Sequence, residues 1–291
     1  DNALVRGDQT AAGVSAGAQA FHRLGFFSYS VNVKPGQDAA AVAARMDAVF
    51  QDFLANGPTQ DEIDRVVTQY AARTIQGLEQ VNGKASALAE GQLYAGDPDF
   101  YRNQLAAYAA VTPAQVRDAM QRWLNRPVYS QIVQPGERQA YVEAAAVPSG
   151  AAPVPATEIV RVPRDPMPAI GDVPNLDFPD VERAALSNGI EIVYARSTTV
   201  PVTRVAVEFD AGYAADDANS LGVHSMMLTL MEEGTTTRDS NALAEARERL
   251  GASVNMGASM DRTAASLTTV TTNLDPSLVL LSDVVRNPAF A

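Results

Sequence analysis

The chain contains two histidines, His22 and His224, so any histidine-based chemistry must use one of them. A helical zinc site places its second ligand three or four residues after the first, because those side chains share a face. From His224 these positions hold Met227 and Leu228, which do not bind zinc in usual protein sites. The spacing therefore predicts a packed or hydrogen-bonded imidazole, unless the other ligands come from elsewhere. For His22, flanked by an aromatic and a basic residue, we expect a surface or packing role.

Gly13–Gly17 reads Gly-Val-Ser-Ala-Gly, the pattern of the nucleophile elbow of serine hydrolases. That elbow needs a buried strand before the serine and a helix after it. The polar residues that precede Gly13 and the small residues that follow Gly17 predict neither. We interpret the segment as a small-residue strand or turn. A hydrolase centred on Ser15 is a distant alternative, which unchanged esterase activity in Ser15→Ala would remove.

Glu232 and Glu233 end a predicted helix, where the helix dipole disfavours negative charge. A functional acid pair is conceivable there, but a solvated helix end before Gly234 is the favoured interpretation. Four methionines in the same region are interpreted as core filling. They are Met226, Met227, Met231 and Met256.

The second half of the chain must supply the elements that carry these side chains. Strands are predicted around Ile192 and Val207, and a hairpin around Val254 and Leu267. Apolar residues cover most of the circumference of a helix over 221–231, which predicts that solvent reaches little of it. Two further helices follow, one capped by Ser240 and ended by Gly251, the other begun at Asp275-Pro276. The last helix is expected to bury Leu278, Leu281 and Val285.

The first half predicts a strand over 27–33 and then several helices. Asn56-Gly57-Pro58 ends the first helix, and Thr59 to Glu62 form a capping box for the next. Shorter helices are expected over 85–95 and 100–109, and Thr112-Pro113 begins another. Residues 129–134 are predicted to close this half as a strand.

A proline-rich segment separates the two halves and holds eight of the 17 prolines. Fixed proline φ angles predict an extended, semi-rigid connection over 144–180. We therefore predict an α+β protein: two incomplete blocks of mostly antiparallel sheet covered by helices, over 1–143 and 181–291, joined by this linker.

Composition narrows the possible partners. Twenty-two basic against 34 acidic residues give a net charge of −12, which disfavours nucleic acid. No apolar run reaches the roughly 18 residues of a membrane helix. The absence of cysteine excludes disulfides and thiolate sites. It leaves the compartment open, a periplasmic home included.

Three segments together resemble the insulinase/pitrilysin family of zinc metallopeptidases: 222–235, Leu250-Gly251-Ala252 and 287–290. In that family, a helix of the same length holds the motif H-x-x-E-H, whose histidines bind zinc and whose glutamate activates water. Alignment of the flanking glycines puts Ser225 and Thr229 at the histidine positions and Leu228 at the glutamate. His224 lies one place early, about 100° round the helix. The segment thus resembles the family's degenerate, metal-free repeat.

Segments of the first half resemble, in the same order, the later part of the family's second domain. They are 27–36, 57–63, 94–98, 111–116 and 134–136. The resemblance implies a middle section of a clamshell-shaped protein: the later part of domain two over 1–143, a hinge over 144–180, and the beginning of a non-catalytic third domain over 181–291. It implies no catalytic, metal-binding or cofactor-binding residue in this chain.

The resemblance also implies partners and a role. Zinc is expected in the parent protein, where this inactive segment would form chamber wall and hinge around peptide substrates. The alternative is a pseudo-enzyme or partner subunit, which binds peptides or an active peptidase subunit without zinc. Because incomplete domains leave sheet edges unpaired, we also expect self-association or pairing with the missing domains.

Overall fold

The computed structural model describes residues 2–21, 23–137, 166, 171 and 178–290. The chain separates into two compact units, one formed by Asp1–Val128 with Ser197–Ala291 and the other by Tyr129–Arg196. His22 and most of the predicted linker over 144–180 lie outside the described residues. The domain limits at 143/144 and 180/181 stay predictions.

The first half begins with a π-helical turn, Asn2–Gly7, and an antiparallel hairpin of β1 (Ala11–Ala20) and β2 (Gly25–Val33). Five helices follow: α1 (Ala39–Asn56), α2 (Gln60–Gly77), α3 (Val81–Ala95), α4 (Phe100–Ala109) and α5 (Pro113–Leu124). The capping box of α2 is confirmed, since the Thr59 backbone N–H donates to Glu62 Oε2 at 2.7 Å and the Glu62 N–H donates back to Thr59 Oγ1 at 3.2 Å.

The second half contains two antiparallel sheets. The hairpin of β3 (Val181–Ala185) and β4 (Glu191–Ala195) is one. The other is β5 (Val202–Phe209), β6 (Ser253–Ala258) and β7 (Thr263–Val270), with β7 in the centre. Its helices are α6 (Val223–Met231), α7 (Ser240–Leu250) and α8 (Leu274–Arg286). The predicted α+β class and the hairpin around Val254 and Leu267 are confirmed.

The burial pattern of strand β7 shows how the three-stranded sheet packs on the core. Alternate residues from Thr263 to Thr269 are buried and those between are half-buried, as expected for a central strand with one face on a core. Leu267 is fully buried among residues of α7, α8 and β6. These neighbours are Leu243, Val254, Leu280, Leu281 and Val284.

The structure corrects three local predictions. The N-cap of α7 is Asp239, whose carboxylate accepts from the Ala242 N–H, and Ser240 is already helical. On α8, Leu278 is 37% exposed, because it lies about 110° from the centre of the buried stripe of Ser277, Leu280, Leu281 and Val284. No strand forms over 129–134 in the described part of the chain, where these apolar residues have no neighbouring strand to pair with.

Helices α2 and α7 pack together, so the first and second halves of the chain share one compact unit. Gly251, at φ +57°, ends α7 against α2, and a Cβ there would lie 2.9 Å from the Ala72 Cβ. Arg65 binds Glu248, and Arg249 Nε donates to Asp61 Oδ1 at 2.7 Å. The Arg249 hydrogen bond holds the pKa of Asp61 below its ordinary value. Single exposed ion pairs add little stability, so close packing carries this interface.

Candidate functional site

The residues aligned with the zinc motif lie on α6, and the start of this helix is fixed by two local features. Gly222 adopts φ +93° and precedes the first helical residue. The Asp216 carboxylate accepts hydrogen bonds from the Gly222 N–H at 2.8 Å and the His224 N–H at 3.2 Å. The N-cap residue Gly222 has no side chain that could accept hydrogen bonds from the first N–H groups of the helix. The Asp216 carboxylate from the preceding loop accepts them instead.

The three motif positions carry no zinc-binding or proton-accepting side chain. Ser225 and Thr229 are exposed, and Thr229 Oγ1 donates to the Ser225 carbonyl at 3.0 Å within the helix. Leu228 is 4% exposed and packs inward. Among the described residues, no group of three histidine, aspartate or glutamate side chains could hold a metal ion. These residues do not fit a zinc ion, since two hydroxyls and a leucine offer neither imidazole nor carboxylate.

His224 makes the packed and hydrogen-bonded contact that the sequence predicted. Its Nε2 lies 2.6 Å from Thr263 Oγ1, and the same hydroxyl donates to the Ala211 carbonyl at 2.7 Å. Because the hydroxyl proton is used there, the imidazole donates through Nε2. Tyr213 stacks edge-on at 5.8 Å between ring centroids. His224 thus joins α6 to β7 and to the loop after β5.

The two glutamates at the end of α6 have different surroundings. Glu232 Oε1 accepts from the Met256 backbone N–H at 2.6 Å, and Glu232 Oε2 lies 3.6 Å from Arg247. Glu232 is therefore half-buried and connects α6 to β6 and α7, so its prediction as a solvated residue is wrong. Glu233 is exposed as predicted and accepts from Ser240 Oγ at 3.1 Å.

Ser15 is not placed as a nucleophile. It lies in the middle of β1, which continues for five residues beyond it, and its Oγ is 2.9 Å from Ser30 Oγ across the hairpin. A nucleophile elbow would require a sharp strand-to-helix turn at the serine. The interpretation of Gly13–Gly17 as a small-residue strand is confirmed.

The prediction that solvent reaches little of α6 is wrong. Leu221 is 77%, Val223 59% and Met226 65% exposed, whereas Leu228 and Met231 are buried. Helix α6 packs on β6 with one side, and its remaining apolar face has no cover in the described part of the chain. The interpretation of the methionines as core filling is confirmed for Met231 and for the half-buried Met256. It is wrong for Met226 and Met227, which are exposed.

A buried polar cluster around Asp283 escaped the sequence analysis. Its Oδ2 accepts from Thr235 Oγ1 at 2.8 Å, Thr237 Oγ1 at 3.0 Å and Arg238 Nη1 at 2.5 Å, while Oδ1 accepts from Asn287 Nδ2 at 3.0 Å. Burial raises the pKa of this carboxyl, but the hydrogen bonds outweigh burial and lower it below the ordinary value. The cluster fastens the turn after α6 to the end of α8.

Two segments that carry the family resemblance meet at this cluster. The Thr236 N–H donates to the Asn287 carbonyl at 2.8 Å, and the Ala289 N–H donates to the Gly234 carbonyl at 3.1 Å. Gly234-Thr235 and Asn287–Phe290 therefore form one structural unit. The sequence signal for this unit was that both segments, which resemble the same family, occur in one chain. The sequence did not indicate that Asp283 holds the two segments together.

Helix α6 thus packs on an antiparallel sheet, and two hydroxyls and a leucine stand at the positions that align with the family's zinc motif. Residues 191–291 match the family model of insulinase, peptidase family M16. The resemblance to this family is confirmed for that part of the chain. The resemblance of residues 1–143 to the family's second domain stays a prediction.

Curated relatives match over a similar length. Subunit 1 of the mitochondrial cytochrome b-c1 complex is 28% identical over 109 residues in Bos taurus and equally in Mus musculus. The match covers 38% of this chain, and the chain spans 22% of the length of these relatives.

Two solved structures show similarity. A peptidase M16 inactive domain from Pseudomonas fluorescens is 28% identical with a TM-score of 0.36, over 38% of this chain and 27% of that chain. A protease from Helicobacter pylori is 24% identical with a TM-score of 0.35, over 38% of this chain and 26% of that chain. Among the described residues, no helix is long and apolar enough to cross a membrane.

Proposed function

We propose that this chain is a non-catalytic insulinase-like segment of a zinc-dependent metallopeptidase, in which it forms chamber wall and hinge around peptide substrates. The observation that carries the proposal is the set of side chains on α6 that align with the family's zinc motif, since Ser225, Leu228 and Thr229 include no zinc ligand. His224, the remaining candidate, donates its Nε2 proton to Thr263. Zinc and hydrolysis would then belong to other parts of the parent protein.

Direct measurement of zinc tests this proposal. The tag-free chain, dialysed without chelator, should contain a zinc-to-protein ratio near zero by plasma mass spectrometry, because the motif positions offer no ligand. It should also leave quenched fluorescent peptides uncut, with and without added zinc. A ratio near one that is lost in His224→Ala, but retained in His22→Ala, would contradict the assignment of α6.

A second candidate function is that of a pseudo-enzyme or partner subunit. It is favoured by the exposed apolar face of α6 and by the relatives, whose name describes them as subunits of a complex. The coding sequence before Asp1 separates the two candidates. An intact H-x-x-E-H there supports the peptidase, and its loss supports the partner subunit.

Both candidates require association, and the structure supplies surfaces for it. Strand β7 pairs with β5 and β6, so each outer strand of this sheet keeps one edge without a partner strand in the described part of the chain. Beside this sheet, the apolar side chains of Leu221, Val223 and Met226 are exposed on and just before α6, and we call them the α6 patch. We assign a second copy of this chain as the partner that covers the patch.

Sedimentation velocity tests this assignment. The wild-type chain should associate at high micromolar concentration, and Met226→Glu should shift it toward monomer by roughly tenfold in dissociation constant, because a charge would enter a desolvated interface. Val66→Glu is the matched control, since Val66 on α2 is 68% exposed and far from α6 in sequence. A wild type that stays monomeric, or an equal effect of Val66→Glu, would remove the α6 patch as an interface.

A further inference from the structure

A cleft opens between α2, α3 and α4, far along the chain from α6. Its volume is about 350 Å³, at the lower end of the range of ligand pockets. Its lining includes four aromatic rings, one aliphatic side chain and one carboxylate: Tyr70, Tyr94, Phe100, Tyr101, Leu78 and Glu90. Helix α3 contributes residues at positions 83, 87, 90, 91 and 94, which recur on one helical face.

Small residues give this cleft its depth. A Cβ at Gly83 would lie 1.9 Å from the Gly77 carbonyl oxygen, and one at Gly91 would lie 2.5 Å from the Asp97 carbonyl oxygen. The backbone therefore approaches closely at both ends of α3, and the space between is bounded by glycine and alanine. Because backbone contacts fix these walls, the cleft exists before any ligand enters it.

Aromatic rings form the sides of the cleft, with one carboxylate. Tyr70 is half-buried and packs edge-on against Tyr108 at 4.6 Å between ring centroids. Phe100 is 39% and Tyr94 73% exposed, so these rings stand nearer the opening. Glu90 is the charged group among the described residues that line the cleft. Aromatic faces and a carboxylate both attract cations, and their combination disfavours anions.

One ring of the cleft lining contacts a cation of the chain itself. Arg102 already places its guanidinium 5.6 Å from the centroid of the Tyr101 ring. Tyr101 is thus partly engaged, and Tyr70, Tyr94, Phe100 and Glu90 remain for an incoming cation.

We propose that this cleft binds the ammonium or guanidinium group of a lysine or arginine side chain presented by a peptide. Charge complementarity favours this occupant, since the chain carries a net charge of −12 and would attract a basic peptide from a distance. The aliphatic stem of the side chain would pack against Leu78 and Ala87, with the charged end near Glu90. The inference does not depend on the function proposed above, because it uses no residue of α6.

Binding to short peptides tests the proposal. The probe is Ac-Gly-Gly-Lys-Gly-Gly-NH2, followed by ligand-detected NMR on the full chain, with arginine and norleucine versions for comparison. We expect millimolar binding of the lysine and arginine peptides and little of the norleucine peptide, which has the same carbon stem without the charge. Glu90→Gln should weaken lysine binding roughly five- to tenfold, since it removes the carboxylate and keeps the shape.

Two variants separate the cleft from general charge attraction. Asp118→Asn on α5 makes the same change in net charge outside the cleft and should leave binding unchanged. Ala87→Leu should fill the cleft and weaken binding at least as much as Glu90→Gln, provided that circular dichroism shows an unchanged fold. Equal binding of the norleucine peptide, no effect of Glu90→Gln, or an equal effect of Asp118→Asn would overturn the proposal. Binding of n-butylammonium alone as tight as that of the peptide would contradict a peptide occupant.

Discussion

Leu267→Ala should lower the free energy of unfolding by about 3–4 kcal/mol, which lies within the range of roughly 2–5 kcal/mol measured for leucine truncation in well-packed cores. Leu267 is fully buried in the central strand, between Val205 of β5 and Val254 of β6, and it contacts the core residues of α7 and α8. A cavity there cannot close easily, because three strands and two helices bound it. Urea unfolding followed by circular dichroism would measure the loss.

Leu278→Ala is the control for this substitution. It removes the same atoms, but Leu278 lies on the outer side of α8 with 37% of its surface exposed. We expect a loss below about 1 kcal/mol, because little apolar surface returns to water. Equal losses at the two positions would mean that α8 does not pack on β7 through Leu280, Leu281 and Val284.

Features whose partners lie close in sequence could be predicted from the sequence. The capping box predicted at Thr59 depends on a residue three positions later, and it forms. Thr112 caps the start of α5 as predicted, and the structure shows a capping box there as well. The motif positions on α6 could be aligned because the flanking glycines lie close to Ser225, Leu228 and Thr229 in the sequence.

Features that depend on distant partners could not be predicted in this way. The apolar circumference of α6 indicated burial, but burial also requires a surface that covers it, and periodicity does not specify one. The partner of His224 is Thr263, 39 residues away, and three of the four hydrogen-bond partners of Asp283 lie 45 to 48 residues before it. No local pattern marks such pairs, and one sequence without relatives does not indicate them.

The contacts of α6 and of the Asp283 cluster together explain how this helix is held in place. In a zinc-binding helix, the ion would hold the helix to its surroundings. Here His224 bonds Thr263, Glu232 bonds the β6 backbone, and the turn after α6 is fastened by Asp283. Hydrogen bonds within the protein thus fix both ends of α6, as expected for a helix with a structural role.

Asp283→Asn should lower the free energy of unfolding by about 2–4 kcal/mol at neutral pH, the second large effect that the structure predicts. The Asp283 side chain is 11% exposed, and its two oxygens accept four hydrogen bonds, one from the Arg238 guanidinium. An asparagine of the same shape keeps one acceptor oxygen and turns an N–H₂ group toward donors. Thr235, Thr237 or Asn287 would then lose a partner in a site that water enters poorly.

The dependence of this effect on pH distinguishes the charge of Asp283 from its shape. The pKa of Asp283 is lowered in the folded chain, so its ionised form contributes stability that is complete above the unfolded-state pKa of about 3.9. This contribution is lost as the pH falls below that value and through the lowered folded-state pKa. The difference in the free energy of unfolding between wild type and Asp283→Asn should therefore be constant from about pH 5 to 7 and shrink in stronger acid.

Asp275→Asn is the matched control, because Asp275 is exposed in the first turn of α8. It should change the free energy of unfolding by less than about 1 kcal/mol. A wild-type advantage at Asp283 that persists undiminished at pH 2 would show that packing, and not the ionised carboxylate, fastens the turn after α6 to α8.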